Sequence, residues 1–231
     1  MSPNEIVYLV FGIVLAIALV ADLGLLSKKN KAVTIQSAVY LTLFWVLLAF
    51  AFFVFMWMEE GHKKAIEYIS AYFMEWSLSI DNIFVFILIF NAFKIKEVFY
   101  SRVLLIGILM AIVLRVIFIT VGVELVERFH WILYVFGAFL VYTGIKMFTE
   151  DDEKEFNPKE NKIYHFLQKF LPLTPSDGNG RFIIRINNKP QYTILFVTVV
   201  MLASVDLVFA LDSIPAVMGI SQDRIIIYTS N

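Results

Sequence analysis

The sequence predicts an all-α, polytopic membrane protein, and composition together with the length of its apolar runs supports this. Of the 231 residues, 60% are apolar and 17% are charged, whereas soluble domains carry about 25% charged residues. The apolar residues are gathered in long runs, and a membrane-spanning helix needs about 20 of them. This composition excludes a soluble domain, a disordered chain and a disulfide-linked secreted module. Because Cys is absent, a thiol redox centre and a thiolate metal site are excluded as well.

Six apolar runs are long enough to cross a bilayer. They lie at about 6–26, 38–58, 68–93, 103–123, 131–148 and 192–219. A seventh run opens at Ile225 and meets the last residue, Asn231, after only a few positions. We therefore predict one transmembrane domain over 1–231 with six complete spans and the start of a seventh, and we expect the whole domain to continue beyond Asn231.

Basic residues are distributed unequally between the connecting segments. The segments after the first, third and fifth runs hold 14 Lys and Arg residues, and the opposite segments hold four. Because the richer side faces the cytoplasm under the positive-inside rule, we expect the N-terminus outside and the loops after spans 1, 3 and 5 inside. The expected location is the plasma membrane.

The stretch 149–191 is the only sizeable polar part of the chain. It opens with an acidic run at 150–153 and continues with an amphipathic stretch at 163–171 that Pro172 ends. Farther on, Asn187 and Asn188 separate two short strand-like runs. We predict a cytoplasmic loop with a short interfacial helix and a small hairpin.

Ionisable residues inside the apolar runs are the most informative positions, since a charge in the bilayer is costly. These residues are Asp22, Glu75, Asp81, Arg115, Asp206 and Asp212. Four of the acids lie near the middle of the third and sixth runs, where each costs roughly 2.5–3.5 kcal/mol on insertion scales. A single Arg cannot neutralise four carboxylates, so we expect protons, water or a bound cation beside them.

These four acids belong to two copies of one short pattern, at 75–83 and 206–214. Each copy consists of an acid, five residues, an Asp, a polar residue and Ile, and the copies are offset by 131 residues. They lie three spans apart, and because three is odd the second copy must run opposite to the first. This predicts inverted-topology three-span repeats, a plan of secondary transporters with the site near the bilayer midplane.

The polar side chains that we single out in the two copies all offer an oxygen atom as a metal ligand. Oxygen ligands suit hard cations such as Mg²⁺, Ca²⁺ and Mn²⁺. The predicted ligands are Glu75, Asp81, Asn82, Asp206, Asp212 and Ser213. Asp22, near the end of the first run, and Arg115 are second-tier candidates for proton coupling or charge balance.

Pro215 predicts an interruption of the sixth span, just after Asp212. Proline has no N–H for the Leu211 carbonyl and disfavours helical angles at Ile214. Because a free carbonyl at membrane depth is tolerated only beside protein, water or an ion, we expect that carbonyl to adjoin the site. The third span has no such signal near Asp81.

The two motifs resemble those of the TerC family of integral membrane proteins. The resemblance rests on 75–82 and 209–216, with further matches at 129–133, at 142–146 and at the aspartate of 22–23. It covers essentially the whole chain. It implies a wider group of exporters built on three-span repeats, manganese export for several members and a link to tellurium resistance. It also implies two or three further spans beyond Asn231.

From the residues and the resemblance we expect an exporter of a divalent cation, first of all Mn²⁺, that is not an enzyme. Export of a cationic amino acid stays open. So does a membrane scaffold or metal-delivery factor for secreted proteins, whose 149–191 loop contacts secretion machinery or a cytoplasmic protein. A hydrolase is disfavoured because the spans contain no Ser–His or Cys–His pairing. The expected partners are the cation, the lipid bilayer and a second copy of the chain, while a net charge of −1 gives no field for nucleic acid.

Overall fold

The computed structural model describes residues 3–27, 35–149 and 162–231. At 3–4, 21–27, 81, 146–149 and 162 the description covers the backbone and not the side chain. The predicted acidic run at 150–153 and the side chains of Asp22 and Asp81 therefore lie outside the described part of the chain.

Within these ranges the chain forms eight α-helices and one two-stranded sheet. The helices are α1 (Pro3–Ser27), α2 (Ile35–Glu59), α3 (His62–Ala92), α4 (Tyr100–Arg128), α5 (Ile132–Thr149), α6 (Lys162–Phe170), α7 (Ile194–Ile220) and α8 (Arg224–Ser230). The strands are β1 (Ile183–Ile186) and β2 (Lys189–Tyr192), which pair antiparallel. A 3₁₀ turn at Glu97–Phe99 leads into α4.

The all-α, polytopic membrane architecture predicted from the sequence is confirmed. Four helices of the described chain are long and apolar enough to cross a membrane, namely α2, α3, α4 with its preceding turn, and α7. The first and fifth predicted spans coincide with α1 and α5, whose described apolar parts, Glu5–Val20 and Ile132–Ile145, are shorter.

Helix α7 lies at the centre of the bundle, chiefly between α3 and α4. Its sequence is almost uniformly apolar, which is typical of a helix that is buried on all sides. The interruption predicted at Pro215 is wrong, because α7 is one continuous helix through that residue. Pro215 is itself buried, and membrane helices tolerate proline where neighbouring helices pack around it.

Helices α3 and α7 run in opposite directions. At one end, the Ser221 hydroxyl just after α7 donates to Glu67 Oε2 near the start of α3, at 2.6 Å. At the other end, Phe93 just after α3 and Leu195 at the start of α7 belong to one buried apolar cluster. The two copies of the acidic motif are therefore antiparallel, as an inverted repeat requires.

The α4–α7 contact depends on a small residue at Gly107. A Cβ atom on Gly107 would lie 3.3 Å from both Cβ and Cδ1 of Leu202. We expect Gly107→Val to lower the free energy of unfolding by roughly 1–3 kcal/mol, the usual cost of overpacking. Thermal unfolding in detergent measures this loss. Gly137→Val on α5 is the matched control, since a Cβ there has no neighbour within 4 Å, and an equal loss in both variants would contradict the packing argument.

The loop after α3 and the segment after α6 meet at one end of the bundle. Lys96 pairs with Asp177 at 2.5 Å, and the Arg102 guanidinium lies 5.2 Å from the centre of the Phe182 ring. The hairpin turns at Asn187 and Asn188 with φ of 52° and 63°, and positive φ at both positions is typical of a type I′ turn. Two of the segments that we expect on the cytoplasmic side are thus neighbours in space.

We expect Asp177 to make this end of the bundle sensitive to acid. Its hydrogen bond from the Lys96 ammonium, and then the one from the Asn179 amide, hold the pKa of Asp177 below its ordinary value. A lowered pKa in the folded state stabilises the fold above the unfolded pKa of about 3.9, and the gain disappears as pH falls through the folded value. We expect faster amide exchange at 178–181 in Lys96→Met than in wild type near pH 6. The difference should vanish at about pH 2, and a difference unchanged by acid would contradict this.

Candidate functional site

A buried ionic triad connects the three central helices. Arg115 on α4 donates from Nη1 to Glu75 Oε2 on α3 at 3.1 Å and from Nη2 to Asp206 Oδ1 on α7 at 3.0 Å. The exposed fractions of the three side chains are 14%, 7% and 15%. Glu75 and Asp206 are the first acids of the two motif copies, so one guanidinium bridges equivalent positions of both.

The buried face of α3 accounts for the position of Glu75. Buried residues on this helix recur three, four or seven positions apart, at Tyr68, Ala71, Glu75, Asn82 and Ile89. Such spacing places them on one face of a helix. Glu75 and Asn82 therefore point into the bundle, about two turns or 10 Å apart along α3.

Small residues on α4 leave room beside Arg115. Gly107 and Ala111 precede it by two turns and one turn on the same face, and both are buried. A cavity of about 300 Å³ lies here between α3, α4 and α7. Its polar lining residues are Ser79, Arg115, Asp206 and Asn231, and the rest of its lining is mainly apolar.

Three buried oxygen atoms near the motifs have no hydrogen-bond partner among the described atoms: Glu75 Oε1, Asp212 Oδ1 and Ser213 Oγ. Ser213 lies near the Glu75 carboxylate, but the two side chains do not meet the geometry of a hydrogen bond. A buried oxygen without a partner costs about 1–3 kcal/mol. These atoms are therefore suited to accept from a proton donor or to coordinate a cation.

The structure brings some of the predicted ligands together and keeps others apart. Glu75 and Asp206 meet at Arg115, and Ser213 lies beside Glu75. Asp212 follows Asp206 by six residues, which turns it about 120° away on an ideal helix, and it makes no described contact with the triad. Asn82 is buried but likewise makes no described hydrogen bond to the triad.

No group of three or more described acidic or His side chains is arranged to hold a metal ion. The side chains of Asp81, a predicted ligand, and of Asp22, a candidate for proton coupling or charge balance, lie outside the described part of the chain. The predicted site is therefore described in part. Within that part, the positive charge beside Glu75 and Asp206 is the Arg115 guanidinium. The guanidinium therefore lies where it can balance the negative charge of these two acids, the role expected of Arg115.

Asn231 is a site residue that the sequence did not point to. Its Oδ1 accepts from Arg115 Nη1 at 3.3 Å, and its amide donates to the Ile227 carbonyl at 3.1 Å. Ser79 also lines the cavity. Ser79 could have been predicted from the sequence, because it lies within the first motif copy, one turn after Glu75.

Comparison with known proteins finds one matching family and several related membrane proteins. Residues 60–231 match the family described as "Integral membrane protein TerC family". An uncharacterized membrane protein of Rickettsia felis is 39% identical over 224 residues, covering 97% of this chain and 74% of that protein. An uncharacterized membrane protein of Myxococcus xanthus is 39% identical over 220 residues, covering 95% and 69%.

A third relative carries a functional name. The protein called "Putative membrane-bound redox modulator Alx" in Escherichia coli strain K12 is 36% identical over 231 residues, covering 96% of this chain and 71% of that protein. No solved structure matches the chain.

Proposed function

Because this chain belongs to the TerC family of integral membrane proteins, we propose that it is a membrane transporter that exports a divalent cation. Mn²⁺ is the first candidate. The observation that carries the proposal is the pair of acids, Glu75 and Asp206, that face each other across the bundle from antiparallel helices. Acids that face a bundle interior within membrane spans mark ion and proton pathways.

The charge of the motifs favours a cation as substrate. The two copies together carry four carboxylates, and Arg115 is the basic residue that faces two of them, Glu75 and Asp206, in the described structure. Their formal sum is −3 when every acid is ionised. A divalent cation or protons offset such a charge, whereas an anion would add to it. The ligand atoms are oxygens, which suit Mn²⁺, Mg²⁺ and Ca²⁺.

The antiparallel course of α3 and α7 supports a transport mechanism of alternating access. We propose one domain over 1–231 with six spans arranged as inverted three-span repeats, the N-terminus outside and the 149–191 loop in the cytoplasm. In such repeats a central site opens in turn to the two sides of the membrane. We place the protein in the plasma membrane and assign it no enzymatic reaction.

A cationic amino acid is the second candidate substrate. The cavity beside the triad has about 300 Å³ of space and many apolar lining residues, including Phe86, Ile108 and Leu202. Apolar walls suit the carbon chain of an organic cation better than a hydrated metal ion. Residues 1–231 contain no Cys that could support a thiol-based redox function.

Flux through the purified protein in liposomes tests the proposed function. We expect Mn²⁺ to cross the membrane faster than in protein-free liposomes, with Mg²⁺ and Ca²⁺ competing and lysine not competing. Flux equal to that of protein-free liposomes would overturn the proposal. If lysine alone competes, the proposed substrate becomes an organic cation instead of a metal ion.

A further inference from the structure

We propose that Arg115 is a built-in substitute for the transported cation. In the unloaded site its guanidinium holds the first acids of both motif copies, and it must release them when a cation binds. This inference rests on the proposed function. It assigns to Arg115 the role of setting affinity for the cation and holding the empty site together.

The position of Arg115 is the first support for this role. Its two terminal nitrogens contact carboxylates from two different helices, Glu75 on α3 and Asp206 on α7, at 3.1 and 3.0 Å. No Lys or Arg follows Lys64 on α3, and α7 contains none. Among the described residues, Arg115 is thus the cationic side chain at the point where the two copies meet.

Competition between Arg115 and a bound cation follows from charge and distance. A divalent cation bound to the free edge of Glu75, or between Glu75 and Asp206, would lie within a few ångströms of the guanidinium. Like charges so close together repel strongly in a protein interior, where the effective dielectric constant is far below that of water. The same carboxylates therefore cannot hold both cations at full strength.

The surroundings of Arg115 provide space for its displaced side chain. They also provide oxygen atoms that bind the cation. The cavity of about 300 Å³ is lined by Arg115 itself, by Ala111 and Gly107, and by the polar groups of Ser79 and Asn231. Asn231 Oδ1 already accepts from Nη1 at 3.3 Å. On the other side, Glu75 Oε1 and Ser213 Oγ are buried without a hydrogen-bond partner among the described atoms, and they offer oxygen atoms as ligands.

This exchange has a consequence for the transport cycle. With Arg115 on both acids, the empty site keeps a positive charge among its carboxylates. Reorientation of the empty site then does not require a second transported ion at Glu75 and Asp206. With the cation bound, the displaced guanidinium favours its release by competing for the same oxygens.

Mn²⁺ binding to Arg115→Gln tests the inference. By calorimetry we expect this variant of the whole chain to bind Mn²⁺ at least about 10-fold more tightly than wild type, because the competing charge is gone. Saturating Mn²⁺ should also raise its melting temperature more than that of wild type, since a bound ligand stabilises the folded state. Arg102→Gln, outside the triad and beside Phe182, is the matched control and should bind Mn²⁺ as wild type does.

Unchanged or weaker Mn²⁺ affinity in Arg115→Gln overturns the inference and leaves Arg115 a structural residue. If that variant does not fold, Arg115→Lys replaces it, because an ammonium offers the two carboxylates a single nitrogen, whereas the planar guanidinium offers each carboxylate a nitrogen of its own. Arg115→Lys should bind Mn²⁺ a few-fold more tightly than wild type, and equal or weaker binding again overturns the inference. If wild type and every variant fail to bind Mn²⁺, the proposed function fails, and the inference fails with it.

Discussion

Asp206→Asn is expected to reduce cation transport by about 100-fold or more while leaving the helix bundle intact. The substitution removes one of the two carboxylates that meet between α3 and α7, and with it a charged ligand at the centre of the proposed site. A 100-fold loss corresponds to about 2.7 kcal/mol of transition-state free energy. An amide oxygen still accepts a hydrogen bond from Arg115, so folding is expected to survive. Mn²⁺ flux in liposomes, with equal protein incorporation, measures the effect.

Glu124→Gln is the matched control for this loss of a carboxylate. Glu124 lies near the end of α4, half-exposed, and pairs with Arg128 at 2.9 Å. Exposed ion pairs contribute about 0–1 kcal/mol, so we expect wild-type flux from this variant. Wild-type flux from Asp206→Asn, or an equal loss in both variants, would contradict the role assigned to Asp206.

Arg115→Gln is expected to lower the free energy of unfolding by about 3–5 kcal/mol in the absence of divalent cations. Removing one partner of a buried ion pair leaves an uncompensated charge, which is the origin of losses of this size. Here two carboxylates lose their shared partner, and both are largely buried. Chemical or thermal unfolding of the purified protein in detergent with a chelator present measures the loss.

The triple variant Glu75→Gln, Arg115→Gln, Asp206→Asn separates charge from packing. It removes all three charges and keeps the size of the side chains close to that of wild type. Because no charge of the triad is left unpaired, we expect most of the lost stability to return. A triple variant as unstable as Arg115→Gln would mean that the guanidinium stabilises the bundle by packing rather than by pairing.

Much of this architecture is predictable from the sequence because the bilayer imposes strict rules. Apolar runs of about 20 residues predicted membrane helices, and four of them are present at full length in the described chain. The odd number of spans between the two motifs predicted that their helices are antiparallel, and the contacts at both ends of α3 and α7 agree.

The pairing of both acids with one arginine was beyond prediction from the sequence. In a membrane protein the lipid-facing and the core-facing sides of a helix are both apolar, so periodicity does not tell which faces meet. Helix α7 has buried residues on all sides, and its sequence does not mark the face that carries Asp206. The break predicted at Pro215 failed for a related reason, since the packing that keeps α7 helical comes from residues far away in the sequence.

Mn²⁺ binding to the purified protein by calorimetry tests the central claim most directly. The informative comparison is wild type with the double variant Asp81→Asn, Asp212→Asn, which changes the second acid of each motif and leaves the triad at Arg115 intact. We predict saturable binding by wild type and a loss of at least about 100-fold in the double variant. A folded wild-type protein that does not bind Mn²⁺, or a double variant that binds it equally well, would contradict the claim that the two motifs form a cation site.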